Sequence, residues 1–196
     1  MRKFSVLTLA EFDAWLNEQK VSRTIKLVQN HHTWCPSYKH FTGQNHSRLL
    51  LSMEASHLER GFAEIGQNLT IFPDGRIAIC RAINRIPAGI KGANANGICI
   101  ECIGNFDAGG DVMSHEQRDA ILDVNALLCK RFGLVPSTAT IVYHAWYNLT
   151  TGERDNDEGR TDNQHKTCPG TAWFGGNSAD AARAHFIPEV INRGRR

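Results

Sequence analysis

The sequence predicts an α/β fold, a single domain with a mixed central β-sheet flanked by helices. Three observations carry that expectation. With 196 residues, 41% of them hydrophobic, the chain can bury one sizeable core and is short for two. Helical and extended patterns are interspersed without strict strand–helix–strand alternation. Neither an internal repeat nor a Pro/Gly-rich linker divides the chain, so residues 1–196 are expected to form one domain.

The elements follow in order. Met1-Arg2-Lys3 and the apolar stretch 4–10 faintly resemble a secretion signal, but Glu11 and Asp13 interrupt the stretch and no small-residue cleavage site follows. The segment therefore reads as the start of a helix. Thr8 and Glu11 form a capping box, and Leu9, Phe12 and Leu16 recur at helical spacing, predicting an amphipathic helix over 8–20. Residues 23–30 are short, β-branched and flanked by polar residues, a strand that delivers His31 and His32 at its C-terminal end. A second helix is expected over 47–59, with Leu50, Met53 and His57 on one stripe. Strands at 67–72 and 76–80 are joined by Pro73-Asp74-Gly75, where proline fixes φ and glycine tolerates a positive one; that is a hairpin. Residues 97–104 (GICIECIG) read as a buried central strand interrupted by one carboxylate. Ser114 and Gln117 suggest another capping box, opening a long helix to about residue 131 that stops at Gly133. A strand over 138–143 ends on His144, a polar stretch leads to Cys168-Pro169-Gly170, and a last helix is expected over 178–192.

Composition narrows the function. Lys and Arg number 22 against 20 Asp and Glu, a net charge of +2, far from the basic excess of a nucleic-acid binder; the one basic cluster, Arg193, Arg195 and Arg196, reads as a solvated tail. No run of about 18 apolar residues is present, so no membrane span is expected. The six cysteines lack a repeating spacing in a chain large enough to form a core, and are read as mostly reduced. A cytoplasmic protein without Sec export is expected, although an enzyme released at lysis would carry the same sequence features.

Two strands ending in histidine give the strongest local signal, because ligands of α/β sheets collect at the carboxyl ends of strands. Cys168 follows His144 by 24 residues, in a loop. Two imidazoles and one thiolate would fill three of the four positions around Zn2+ and leave one for water, the arrangement of a catalytic site. The plainer alternative is a pair of hydrogen-bonded core histidines and a small buried cysteine. Cys99 and Cys102 cannot chelate one ion from a continuous strand, since residues three apart face opposite ways. The same alternation puts Cys99, Glu101 and Ile103 on one face and Ile98, Ile100 and Cys102 on the other. Glu101 is then an anomaly, because a carboxylate in a buried run is costly unless paired with a cation or used as a general base.

Several of these segments, taken together, resemble a family. They are 25–34 (IKLVQNHHTW), Glu64-Ile65-Gly66-Gln67 leading to Pro73-Asp74-Gly75-Arg76, the Glu101 strand with Gly104-Asn105-Phe106, and Lys166-Thr167-Cys168-Pro169-Gly170. In this order, over residues 24–174, they resemble the zinc-dependent N-acetylmuramoyl-L-alanine amidases, which include bacteriophage lysozyme-type amidases and peptidoglycan recognition proteins. The resemblance implies zinc ligands at His31, the first His of the family's His-His-Thr motif, at His144 and at Cys168; only one of His31 and His32 should bind, because adjacent strand residues face opposite ways, and His31 is preferred. It implies a catalytic glutamate at Glu101 and, at Lys166, a lysine that stabilises the oxyanion. The implied reaction is hydrolysis of the amide between N-acetylmuramic acid and L-alanine of peptidoglycan or a muropeptide, by a chain expected to be monomeric.

Departures from the family pattern shape the reading. Gln67-Asn68 stands where members commonly have Tyr-His, and a glutamine cannot exchange a proton, which loads the acid–base work onto Glu101. Phe62 stands where a tryptophan is common, near His57. Trp34, His57, Gln67, Asn94 and Asn96 are candidate substrate contacts, aromatic and amide groups suited to sugar and peptide. The alternatives are a peptidoglycan-binding module without catalysis and a zinc hydrolase of another amide or of a nucleobase; the deaminase signature that the last would need is absent.

Overall fold

The computed structural model describes residues 3–195; Met1 and Arg2 of the signal-like start and Arg196 of the basic tail lie outside the described residues. Six strands form one mixed sheet: β1 (Ser5–Leu7), β2 (Leu27–His32), β3 (Leu69–Ile71), β4 (Ile77–Ile79), β5 (Gly97–Cys102) and β6 (Ile141–Tyr143), in the order β1-β4-β3-β5-β2-β6. The β1–β4 and β4–β3 pairs are antiparallel, whereas β3–β5, β5–β2 and β2–β6 are parallel. The parallel part is the centre of the domain and its strands are covered on both sides, which is why β5 is apolar almost throughout.

The helices α1 (Leu9–Glu18), α3 (His115–Phe132) and α5 (Ile187–Gly194) cover one face. Phe12 and Leu16 of α1, Ile121 and Leu128 of α3, and Ile187 and Val190 of α5 form a continuous core with Val28, Ile98, Ile100 and Cys102 of the sheet. A buried amide pair lies within it: Asn30 and Asn125 each donate to the other, at 2.9 and 3.0 Å, so neither polar group is orphaned. On the other face α2 (His46–Glu59) packs Leu49, Leu50 and Met53 against Ile65, Phe72, Ala78 and Ile103. The alternation read from 97–104 is therefore what the fold uses: Ile98, Ile100 and Cys102 enter the first core and Ile103 the second.

Local chemistry explains most element ends. The Thr8–Glu11 capping box forms, with Thr8 N–H donating to Glu11 Oε2 at 2.8 Å and Glu11 N–H to Thr8 Oγ1 at 3.3 Å. Helix α3 ends at Gly133 in the left-handed conformation, φ 65°, that glycine adopts without penalty. The last helical segment runs from α4 (Ala179–Ala181) through a π-helical turn (Ala182–Phe186) into α5. No helix among the described residues is long and apolar enough to cross a membrane, and none of the six cysteines is in a disulfide.

Four expectations are corrected. The segment read as a helix start is strand β1, paired with β4, and helix begins only after the Thr8 cap. The first histidine-bearing strand is shifted to 27–32, so both histidines lie within it; Lys26 and Leu27 both donate to Asn96 O at its entry. The strand expected over 138–143 shrinks to β6, because Ser137 and Thr140 tie 137–140 into a turn with their own side chains. Ser114 caps α3, but Gln117 does not reach back to it. Its buried amide donates instead to Ile71 O and Ile103 O, at 2.9 Å each, pinning α3 to the ends of β3 and β5. Gln117→Ala would remove a donor from both carbonyls, leaving Ile71 O only its bond from Ile103 N–H, and should destabilise the fold by about 1–3 kcal/mol, read by urea denaturation; a loss under about 0.5 kcal/mol would show that the amide is dispensable.

Candidate active site

Register builds the site. Strands β2 and β5 pair with His31 opposite Glu101, and β2 and β6 pair with Asn30 opposite Tyr143. One residue further along β6, His144 opens a 3-10 turn (His144–Trp146) beside His31. On the other side β3 sets Thr70 opposite Glu101. The C-terminal ends of four neighbouring strands thus carry a row, His144, His31, Glu101 and Thr70.

Cys168 reaches this row from a loop. Ala145 N–H donates to Cys168 O at 2.7 Å, and Asn177 Nδ2 donates to Thr167 O at 2.9 Å. Asp107 accepts from Thr167 Oγ1 and from Thr171 N–H, both at 3.1 Å, so one carboxylate clasps the loop on either side of the cysteine. Gly170, at φ 124°, lies so close to Phe106 that a Cβ would stand 2.3 Å from Phe106 O. Only glycine lets the two loops approach this way.

The result is a compact donor set. His31 Nδ1 lies 3.2 Å from His144 Nδ1 and 3.5 Å from Cys168 Sγ, and one ligand atom of each of the three residues lies within 4.8 Å of the others. At zinc bond lengths of about 2.0–2.1 Å to nitrogen and about 2.3 Å to sulfur, tetrahedral ligands stand about 3.3–3.4 Å apart for two nitrogens and about 3.6 Å for nitrogen and sulfur. The spacing fits that ion. His32 is excluded from the set: it lies on the other side of β2 and its Nδ1 accepts Phe106 N–H at 3.1 Å.

Burial sets the protonation of the site. It pushes His31 well below the usual histidine range and His144 down to about 3, each helped by neighbouring positive charge, so both offer neutral lone pairs. Burial and the nearby Glu101 push the Cys168 thiol up, and a divalent cation would reverse that cost. Burial also raises Glu101 to about 7, against the lowering influence of Lys166 and Arg60. Among the described residues Glu101 forms no ion pair, so the salt-bridge account of this carboxylate fails and it faces the cleft unpaired.

The cleft has a volume of about 760 Å³ between α2 and the strand ends. His31, His144, Cys168, Glu101, Lys166, Trp34 and His57 all line it. His57 also holds the wall, since its Nδ1 accepts Gly66 N–H at 3.0 Å and its ring stacks on Phe62. Three expected contacts do not line it. Gln67 is 1% exposed and spends its amide on Thr70 Oγ1. Asn94 turns inward to accept Gly89 N–H, and Asn96 lies at the opposite, N-terminal end of β5. Asp107 and Arg60 line the cleft without a local sequence signal, because their roles arise from loops that meet only in the fold.

Residues 21–171 match the family described as N-acetylmuramoyl-L-alanine amidase. The chain belongs to that family. Among solved structures it is similar to the N-acetylmuramoyl-L-alanine amidase LysC from Clostridium intestinale, at 18% identity over 85% of this chain and 89% of that one, with a TM-score of 0.55. A point mutant of Drosophila PGRP-LB, solved in complex with tracheal cytotoxin, aligns at 19% identity over 86% of each chain with a TM-score of 0.60. Drosophila peptidoglycan recognition protein SA aligns at 28% identity over 63% of this chain and 69% of that one, with a TM-score of 0.53. No curated protein sequence matches. In this amidase-family chain the mixed sheet and its helices are those of amidases and peptidoglycan recognition proteins.

The segment preceding Lys166 is clamped by charge. His165 places Nδ1 2.8 Å from Asp162 Oδ1 and Nε2 2.8 Å from Asp155 Oδ1. The hydrogen bond to Asp155, then that to Asp162, raises the His165 pKa above its ordinary value. A raised histidine stabilises fully below the unfolded value, about 6.5, and the contribution disappears as pH rises through the folded one. The melting-temperature difference between wild type and His165→Gln should therefore be largest near pH 5–6 and shrink towards about pH 9. A difference independent of pH would show that the clamp is not ionic.

Proposed function

We propose that this protein hydrolyses the amide between the lactyl group of N-acetylmuramic acid and L-alanine of the stem peptide in a zinc-dependent reaction, for cell-wall lysis or turnover. One observation carries the reading: at the strand ends, two neutral imidazoles and a thiol at zinc-ligand spacing share a cleft with an unpaired, half-buried carboxylate and a lysine. Membership of the amidase family supplies the substrate class, peptidoglycan or a muropeptide.

His31, His144 and Cys168 would hold the ion. Bound there, zinc supplies Lewis-acid polarisation of the substrate carbonyl and acidifies water into the neutral range. Glu101 takes the proton of the attacking water on a carboxylate oxygen and returns it to the leaving amine nitrogen. Its raised pKa suits both transfers, since a base poised near the working pH accepts and gives up a proton at comparable cost. Lys166 Nζ, at the exposed rim, supplies positive charge to the oxyanion as it develops. Asp107 keeps Lys166 and Cys168 in place through Thr167 and Thr171. Gln67 is buried against Thr70 and does not line the cleft, which leaves proton transfer to Glu101.

The test is mass spectrometry of wall fragments incubated with purified protein. Stem peptide with a free L-alanine amine should be released, a chelator should stop the release and zinc should restore it. Glu101→Gln should retain zinc while kcat falls by about 10²–10⁴, and Lys166→Ala should lower kcat by about 10²–10³. His144→Ala should lose both zinc and activity. Stoichiometric zinc with no peptide release would replace this reading with a binding module, and chelator-resistant release would remove the metal from it.

A further inference from the structure

The main cleft continues past Trp34 into a second, smaller groove of about 380 Å³, lined by Ser37, Lys39, Asn105, Gly109, Gly110 and Asp111. Trp34, Cys35 and His40 border both. Trp34 is 61% exposed, while Trp146 and Trp173 are fully buried and Trp15 is half-buried. Its backbone lies at φ 57°, a left-handed conformation that a bulky side chain rarely adopts. Hydrogen bonds hold it there: Trp34 N–H donates to Gly104 O at 2.9 Å and Cys35 N–H donates back to Thr33 O at 2.6 Å, closing a tight ring around Trp34. Thr33 Oγ1 adds a bond to Pro36 O. No aromatic partner among the described residues touches the indole. An indole kept in water, at a conformational cost, on the ridge between two grooves has its use in a ligand rather than in the fold.

The chemistry of the second groove selects the ligand. Lys39 offers an exposed ammonium, and His40 commits only Nδ1, which accepts Ser37 N–H. Asn105 commits Oδ1 to Asp107 N–H, which leaves its amide nitrogen to donate. Asp111 Oδ2 accepts from Tyr38 N–H and Asn105 N–H, which leaves Oδ1 as an acceptor. The lining holds both donors and acceptors, and the charges of Lys39 and Asp111 are opposite and equal. A neutral, hydroxylated ring matches this set, with its C–H face on the indole and its hydroxyl and acetamido groups on the groove floor. A carboxylate-rich peptide would meet Asp111, and an apolar ligand would leave the floor unpaired.

We propose that Trp34 and this groove form a subsite for a neutral N-acetylhexosamine of the glycan strand, next to the muramic acid presented to His31, His144 and Cys168. The proposal rests on the amidase reading for the origin of the sugar. Its test does not require hydrolysis. The tetramer of N-acetylglucosamine is titrated into the full chain while tryptophan emission and acrylamide quenching are followed, both dominated by the one exposed indole. The tetramer should shift the emission to the blue and shield Trp34 from acrylamide. Trp34→Phe and Trp34→Gly, followed by calorimetry, should weaken binding, the glycine variant by at least about tenfold. Trp34→Gly should melt no lower than wild type, because glycine accepts the left-handed backbone. Absence of shielding, or equal shielding by a stem tetrapeptide without sugar, would overturn the subsite. Wild-type protein that binds the tetramer but releases no peptide from wall fragments overturns the amidase reading and leaves the subsite standing. Peptide release without tetramer binding overturns the subsite alone.

Discussion

The parallel register of β6, β2 and β5 is the constraint on which the rest depends. Side chains alternate along a strand, so sliding one strand by a single residue exchanges everything it shows to each face. In the observed register His31 meets Glu101 on one side and His144 on the other, all towards α2, while Asn30 turns to Asn125 of α3. A slip of β2 would bury His31 under α3 and leave Asn30 at the donor set. The Asn30–Asn125 pair resists such a slip, because a buried amide that lost its partner would cost more than the pair gains. Packing beneath the sheet thus positions the chemistry above it.

Burial then tunes the assembled groups in one direction. Removing water keeps two imidazoles neutral, makes the thiol costly to ionise and raises the carboxyl to about 7. Each group alone is a burden on stability, yet together they form a set that a divalent cation would complete. The positive charge already present, Lys166, sits at the exposed rim, where its hydration is largely kept. The Asp107 clasp and the glycine at 170 bring the loop cysteine to the sheet, and the same loop carries the lysine.

What could be read from the sequence was local or periodic. The Thr8–Glu11 cap, the Gly133 stop, the Pro73-Asp74-Gly75 hairpin and the two faces of 97–102 are written in residues a few positions apart, and they appear in the fold as expected. Histidines at two strand ends and a loop cysteine also stand out as chemically unusual, while the choice of His31 over His32 came with the family resemblance. Strand β1 was missed because three residues before a strong helix cap carry no periodicity, and only pairing with β4 makes them a strand. Gln67, Asn94 and Asn96 were expected at the substrate, but the amides of Gln67 and Asn94 serve a neighbouring hydroxyl and a backbone N–H, and Asn96 lies at the far end of β5, destinations fixed by tertiary contacts. Asp107 was invisible for the converse reason: an aspartate in a loop looks solvated until the threonines that it holds are seen beside it.

Register and one loop bring His31, His144 and Cys168 together, and the proposed chemistry requires them to act as a single metal site. The direct measurement is zinc K-edge X-ray absorption on the protein loaded with one equivalent of zinc. A first shell with one sulfur at about 2.3 Å and two imidazole nitrogens at about 2.0–2.1 Å, the rest oxygen, is the predicted result. A shell without sulfur, or one with two sulfurs, would mean that zinc sits elsewhere and that His31, His144 and Cys168 do not act together.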